Sequence, residues 1–275
     1  MKPFIVLLLL SAISGNLLAQ TSTLAEYDIH TQQKLAIQYA DTFDNQYLHD
    51  LEQRYHLRDL VKDCKDQASI ALTICYWVHK QWRHDGSNLP SKSDALSILD
   101  EAKQGKQFRC VEYGITIAAA LNALGIKSRT LGLKMRGVDT INVGAGHVVT
   151  EAWLSDLKKW VMVDGQFDVI PYSNNVPLNA YELQQAIYTN PQGITVKTIS
   201  QDYAASGYIN WIKPYLYFFD IETDNREQYG LEKRIKRQGI MLAPTHEACP
   251  AVFQKTTPMN YQCTHAVKAF YAPAL

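Results

Sequence analysis

The sequence has no excess charge of either sign: 27 lysines and arginines stand against 27 aspartates and glutamates in 275 residues. Nucleic-acid binding would call for a basic stripe. The nearest approach to one, Lys233-Arg-Ile-Lys-Arg237, reads as a solvated face or strand edge. Beyond the amino terminus no apolar run reaches the ~20 residues a membrane-spanning helix needs. Phosphate-cradling glycine loops, EF-hand-like loops and Gly-x-Ser-x-Gly elbows are all missing, as are internal repeats and low-complexity segments. The five cysteines form no close Cys-x-x-Cys pair. His246, Cys249, Cys263 and His265 are metal-ligating types, yet a disulfide between the two cysteines explains them more simply. No cofactor or metal is expected.

What is present begins at the amino terminus. Met1-Lys-Pro is followed by the ten-residue apolar stretch Phe4–Ile13, then Ser-Gly-Asn-Leu-Leu-Ala19-Gln. A basic start, a short apolar segment and a small residue before a polar one describe a secretory signal peptide. Cleavage is expected near Ala19, with Leu17 somewhat large for its position, and the product is expected in the periplasm or outside the cell. Exported chains keep disulfides. Cys249 and Cys263 bracket a polar loop whose closure is worth about 3 kcal/mol in the entropic account. Cys64 and Cys75 pair only if Cys64 precedes the helix and folds back, because eleven residues of continuous helix span ~16 Å. Cys75 otherwise reads as an ordinary buried thiol. Cys110 is the odd one left over, which in a secreted chain flags a reactive thiol.

Cys110 opens an apolar helix-like run that extends to Leu124 and is closed by Gly125. In the first turn of a helix the free N–H groups and the dipole favour an anion. A nearby imidazolium can lower a thiol from ~8.5 to roughly 3.5–7.5. Two strand-like runs follow, His147-Val-Val-Thr-Glu-Ala-Trp153 and Trp160-Val-Met-Val-Asp164, separated by the turn Ser155–Lys158. An antiparallel hairpin pairing Trp153 with Lys158 sets Glu151 opposite Trp160, Val149 opposite Met162 and His147 opposite Asp164. Directly opposed Cβ atoms lie ~4.5–5.5 Å apart, and a slip of one residue would separate the pair onto opposite faces. Glu151 shares the face but lies ~13 Å from His147 along the strand, a poor orienting group. Cys110, His147 and Asp164 therefore read as a thiol nucleophile, its base and the acceptor that fixes the base's tautomer. A backbone N–H at the helix start would supply one oxyanion donor. Asn88, Gln107 and Trp82 are open candidates for the second.

The same residues carry a resemblance. Phe108-Arg-Cys-Val-Glu-Tyr-Gly-Ile and Ala123-Leu-Gly-Ile-Lys-Ser-Arg129 are similar to the cysteine helix and following turn of transglutaminase-like domains. Gly146–Trp153 and Lys159–Asp164 resemble that superfamily's histidine and aspartate strands, and Trp77–Trp82 and Ala95–Leu99 its leading helices. The similarity covers roughly residues 66 to 168. It implies a papain-like α+β core and thiol chemistry on amide or acyl substrates. One departure is Gly165, where the family commonly has proline after the aspartate. The superfamily includes cross-linkers, peptidases, amidases and inactive members, so the resemblance selects no single reaction.

Along the chain, residues 32–65 are helical in pattern, with Leu48, Leu51, Tyr55, Leu57 and Leu60 near the 3.6 period. Further helices are expected at 66–82, at 93–102 behind a cap-like Ser91-Lys-Ser-Asp94, and at 178–187. Strands are expected at 128–133, 147–153, 160–163 and 194–199. The Gly137-to-Gly146 connection reads as a flexible loop bordering the cleft. Trp211 to Ile221 is rich in aromatic and β-branched residues. Tyr208, Trp211, Tyr215, Tyr217, Phe218 and Phe219 fit the buried face of a sheet, with a substrate groove as the sharper alternative. His79 and His84 flank Trp82 and fit a cleft wall, a cap or a substrate contact.

The organisation expected is a signal peptide at 1–19, a helical segment at 20–65, a transglutaminase-like catalytic core at 66–189 and a β-rich extension at 190–275. The fold class is α+β, a papain-like core with helices and a central cysteine helix packed on an antiparallel sheet. The expected activity is an exported thiol hydrolase or acyltransferase acting through a thioacyl intermediate, with water favoured as acceptor. Protein cross-linking and a non-catalytic binding or scaffold module are the alternatives. The expected partner is a peptide or protein substrate, cell-envelope material included; neither nucleic acid nor a membrane span is expected.

Overall fold

Side-chain caps decide where the helices start. In this computed structural model, which describes residues 24–202, 204–229 and 238–274, a two-residue strand β1 (Gln38–Tyr39) comes first. The Asp41 carboxylate then accepts the Phe43 and Asp44 N–H groups at 2.9 and 3.0 Å, a turn that competes with helix. Asn45 next caps α1 (Gln46–Tyr55) through the Leu48 N–H. His56, at φ 50°, ends α1 before the short α2 (Leu57–Val61). The continuous helical pattern expected from 32 to 65 is thus broken at both points. Asp66 and Ser69 form a reciprocal capping box that opens α3 (Gln67–His79). Asp94 caps α4 (Ala95–Lys103) through Ser97.

Helix α5 (Cys110–Ala123) is buried from Glu112 onward. A helix apolar all round belongs inside a fold; α1, α3 and α4 pack against it, and the sheet covers the other side. Strands β2 (Ser128–Lys134), β3 (Gly146–Leu154) and β4 (Lys159–Val163) run antiparallel. A smaller sheet follows from β5 (Ile170–Ser173), β6 (Val176–Pro177) and β7 (Ile194–Lys197), with α6 (Ala180–Thr189) between.

The region after 190 is β-rich, as expected, apart from its short helices. Ala205–Ile212 is a helix, α7, and not part of a strand. Beyond it come β8 (Phe218–Glu222), β9 (Asp224–Asn225), β10 (Gly239–Leu242), β11 (Val252–Phe253), β12 (Thr257–Pro258), β13 (Tyr261–Thr264) and α8 (Val267–Phe270). Three of these strands join the central sheet in the order β13-β10-β8-β2-β3-β4. The β-rich segment therefore completes the core's own sheet by pairing edge to edge with β2. The sheet is buried on both faces, one against Leu51, Ile74, Ile98 and Leu121, the other around Leu131, Val149, Met162 and Phe219. The fold is α+β with a papain-like core, as the sequence implied. The signal-peptide segment and the Lys233–Arg237 run lie outside the described residues.

Candidate active site

The hairpin that carries His147 and Asp164 is set by its turn. Lys158 takes φ 52°, closing a four-residue loop so that Leu154 pairs with Lys159, Trp153 with Trp160 and Glu151 with Met162. This register is two residues from the expected one. Because side chains alternate with period two, a shift of two keeps every residue on its face. His147 and Asp164 consequently meet across a diagonal, with Nε2 and Oδ2 2.8 Å apart. Glu151 pairs elsewhere, with Arg129 at 2.8 Å.

Strand β4 stops at Val163, opposite Thr150, so the beginning of β3 has no strand partner on that side. The start of α5 lies against it. Gly114 permits this, since a Cβ there would meet Val148 Cγ1 at 3.0 Å and the Val149 carbonyl oxygen at 3.2 Å. The Thr150 hydroxyl donates to the Gly114 carbonyl at 2.9 Å and ties the two elements together. At this junction Cys110, the first residue of α5, is half-buried at the edge of a cleft. His147, His84 and the Val148 N–H lie close enough to its sulfur to stabilise a thiolate. Since Nε2 of His147 faces Asp164, the other ring nitrogen is the one that serves Cys110.

Electrostatics follow from these contacts. Burial alone would push the Cys110 thiol up; the hydrogen bonds from His147 and His84, the His147 charge and the Val148 N–H outweigh it and bring the thiol down to about 6. Burial likewise works against a charged His147, yet the Asp164 carboxylate and the adjacent sulfur hold it up to about 10. The two groups titrate as a pair, and the pair favours thiolate with imidazolium.

Asp164 is fully buried and its oxygens are all engaged. Oδ1 accepts the Gln166 N–H at 3.1 Å, while Oδ2 accepts the Tyr208 hydroxyl at 3.0 Å besides His147. Its carbonyl accepts from Val169 N–H and from the Cys75 thiol. Burial raises Tyr208 well above an ordinary phenol, which keeps it a donor. The ring of Trp211 meets His147 edge to face at 4.9 Å, with Tyr215 at 6.1 Å and Phe167 at 6.3 Å. Gly165, where the family has proline, abuts the cysteine helix: a Cβ there would lie 2.5 Å from Ile117. Its carbonyl faces His79 Nδ1 at 3.0 Å.

Two clefts converge here. The larger, about 700 Å³, runs past Cys110 and His147 to Lys134, Asp220 and Tyr261. The smaller, about 550 Å³, is lined by Lys80, Trp82 and Arg83 among others, and both share His84 and Gln166. The loop ahead of β3 does border the larger cleft, through Val143 and Gly144. Of the three candidate oxyanion donors, Gln107 is committed, accepting from Arg83 N–H and donating to the Gly105 carbonyl. The Trp82 indole N–H has no hydrogen-bond partner among the described residues but is closed off, its ring against Tyr113 at 4.5 Å. Asn88 lines neither cleft. His84, which the sequence offers as cleft wall, cap or substrate contact, lines both clefts and helps to lower the Cys110 thiol. Tyr208 and Trp211 sit on α7 and not on a sheet face; Trp211 lines the larger cleft, the groove alternative, while Tyr208 lies behind it on Asp164.

Cys249 and Cys263 form the expected disulfide, with Cα atoms 5.8 Å apart. Cys64 precedes α3 and its sulfur lies 3.3 Å from the Thr73 hydroxyl, yet Cys64, Cys75 and Cys110 are all free thiols. Burial pushes the Cys75 thiol well up. Among the described residues no three His, Cys, Asp or Glu side chains converge as a metal set, and no helix is long and apolar enough to cross a membrane.

A thiol at a helix start, paired with a strand-borne imidazole and carboxylate on an α+β fold, gives a papain-like arrangement. Residues 55–165 match the model of the transglutaminase-like superfamily. No curated protein matches the chain. Among solved structures it is similar to a protein of Cytophaga hutchinsonii provisionally named a cysteine protease, at 14% identity and TM-score 0.37, over 57% of this chain and 50% of that one. A structure named as a TGase is 17% identical with TM-score 0.30, over 44% and 30% of the two chains. A provisionally named protease from Parabacteroides distasonis is 13% identical with TM-score 0.29, over 42% and 24%. The chain thus spans half the length of the first and less than a third of the others.

Proposed function

We propose that this chain is a cysteine-dependent enzyme that attacks amide bonds of peptides or proteins through a thioacyl intermediate, with hydrolysis the favoured outcome. The observation that carries the reading is the His147–Asp164 pair at 2.8 Å beside Cys110 at a helix start, with the thiol opening on a cleft. In the proposed cycle the Cys110 thiolate adds to the amide carbonyl. The oxyanion lies near the Cys110 N–H, one of the donors left free at a helix start. His147 gives its proton to the leaving amine, and the C–N bond breaks to leave a thioester. Neutral His147 next takes a proton from water, hydroxide adds to the thioester, and the acid departs with the thiolate restored. Asp164 keeps one tautomer of the ring in place throughout. An amine that replaced water would give transfer and cross-linking. The Cys249–Cys263 disulfide supports an oxidising, exported setting, consistent with the leader read in residues 1–19.

The test is alkylation of Cys110 at pH 6 with iodoacetamide, read by intact mass without reductant, on wild type and His147→Ala. Without its imidazole the thiol should return toward ~8.5, so labelling at pH 6 should slow on the order of 10²-fold. A folded wild-type protein that takes no adduct would turn the reading to a binding or scaffold module.

A further inference from the structure

The two clefts that meet at His84 and Gln166 differ in how their charges are compensated. In the larger one each described cation has a carboxylate partner: Lys134 pairs with Asp220, and Arg109 with Glu112 at 2.6 Å. The rest of its wall is largely apolar, with Val143, Trp211, Phe253 and Met259. The smaller cleft has Lys80, Arg83, His79 and His84 along its wall and no aspartate or glutamate among its lining residues. Neither Lys80 nor Arg83 makes an ion pair or a ring contact among the described residues. Lys80 follows the last turn of α3, and the Arg83 backbone is pinned by its N–H bond to Gln107 Oε1 at 2.6 Å. Two carboxylates flank this wall: Asp202, 3.8 Å from His79 Nε2 and itself largely exposed, and Asp85, which interacts with His84. Neither carboxylate lines the cavity, so Lys80 and Arg83 leave its lining net positive. A concave wall of one sign focuses its field on whatever enters.

We propose that the smaller cleft is a substrate subsite for a carboxylate, so that the peptide bound at Cys110 is acidic on the arm passing His84 and apolar on the other. This rests on the amide-attacking reading above, because the anionic groups a peptide carries are side-chain and terminal carboxylates. Lys80 and Arg83 hold the carboxylate and the faces of Trp82 and Tyr113 floor the cavity. The subsite adds selectivity and no new bond chemistry.

Three alkylators of one length test it: bromoacetyl-Gly-Glu-amide carries a side-chain carboxylate, bromoacetyl-Gly-Gln a terminal one, and bromoacetyl-Gly-Gln-amide neither. Labelling of Cys110 is timed at low ionic strength, and each charged rate is divided by the neutral one. One charged probe is expected to react about fivefold faster than the neutral probe, as for a partly exposed ion pair, and which one it is distinguishes side-chain from terminal recognition. The preference should fall to about one in the double variant K80E/R83E, and in wild type at ~1 M salt, where screening length is ~3 Å. Equal rates in wild type overturn the proposal, as does a preference that survives in K80E/R83E. Repeating the series at pH 9, where an unassisted thiol also ionises, keeps the ratio readable even if the pH 6 thiolate fails.

Discussion

Strand β3 carries two buried ion pairs four residues apart, and the contrast between them shows how a fold separates structure from chemistry. At Glu151 the partner is Arg129, and both side chains are fully buried. Arg129 also donates to the Phe270 carbonyl at 3.1 Å and stacks over Trp160 at 4.1 Å, while the Ala180 N–H reaches Glu151. Every side of that pair is closed. At His147 the partner is Asp164, equally buried, but the far nitrogen of the ring serves a sulfur that faces a cleft. The first pair has no proton to move, since an arginine stays charged. In the second, one open contact converts a similar electrostatic investment into a poised nucleophile.

Glu151→Gln should break the closed pair most visibly. It leaves the Arg129 charge uncompensated in the core, so unfolding in urea should show a loss of about 3–5 kcal/mol. Alkylation of Cys110 at pH 6 in the protein that remains folded should be unchanged. Asp164→Asn should do the reverse. The wild-type thiol is lowered, so its thiolate exists above about pH 6 and is lost as pH falls through that value. The imidazolium is raised, so it persists below about 10 and is lost as pH rises through it. Their pair occupies the window between. With Asn the midpoint of the alkylation profile should move from about 6 toward ~8.5, a loss on the order of 10²-fold at pH 6. Tyr208→Phe sharpens the comparison at the smallest scale. It removes one of the hydrogen bonds that fix Asp164, worth about 1 kcal/mol, and labelling at pH 6 should slow about fivefold.

The triad was legible because each member is embedded in a strong local pattern. Cys110 starts an unmistakable apolar helix, and the hairpin register that the turn implies lies two residues from the true one, a difference that period-two alternation absorbs. Expectations failed where a single residue outweighs a pattern. His56 in the left-handed region and the Asp41 turn cut a helical stretch whose apolar spacing looked continuous. The helix carrying Tyr208 and Trp211 is not evident because the aromatic run from Trp211 onward reads as strand. A helical signal was present, since Tyr208 and Ile212, four apart, are both buried on α7. Their contacts with Asp164 and His147 join segments more than forty residues apart, which no local spacing reveals.

The strand order has a consequence for heredity and for engineering. Half of the central sheet, β8, β10 and β13, lies outside the 55–165 segment that the family shares, and so does the tyrosine that steadies its aspartate. That segment is not a portable cassette. Grafted alone into another protein, it would arrive with β2 as a bare edge and a triad short of its support. Recombination could pass this arrangement on only by carrying the distal strands along with it.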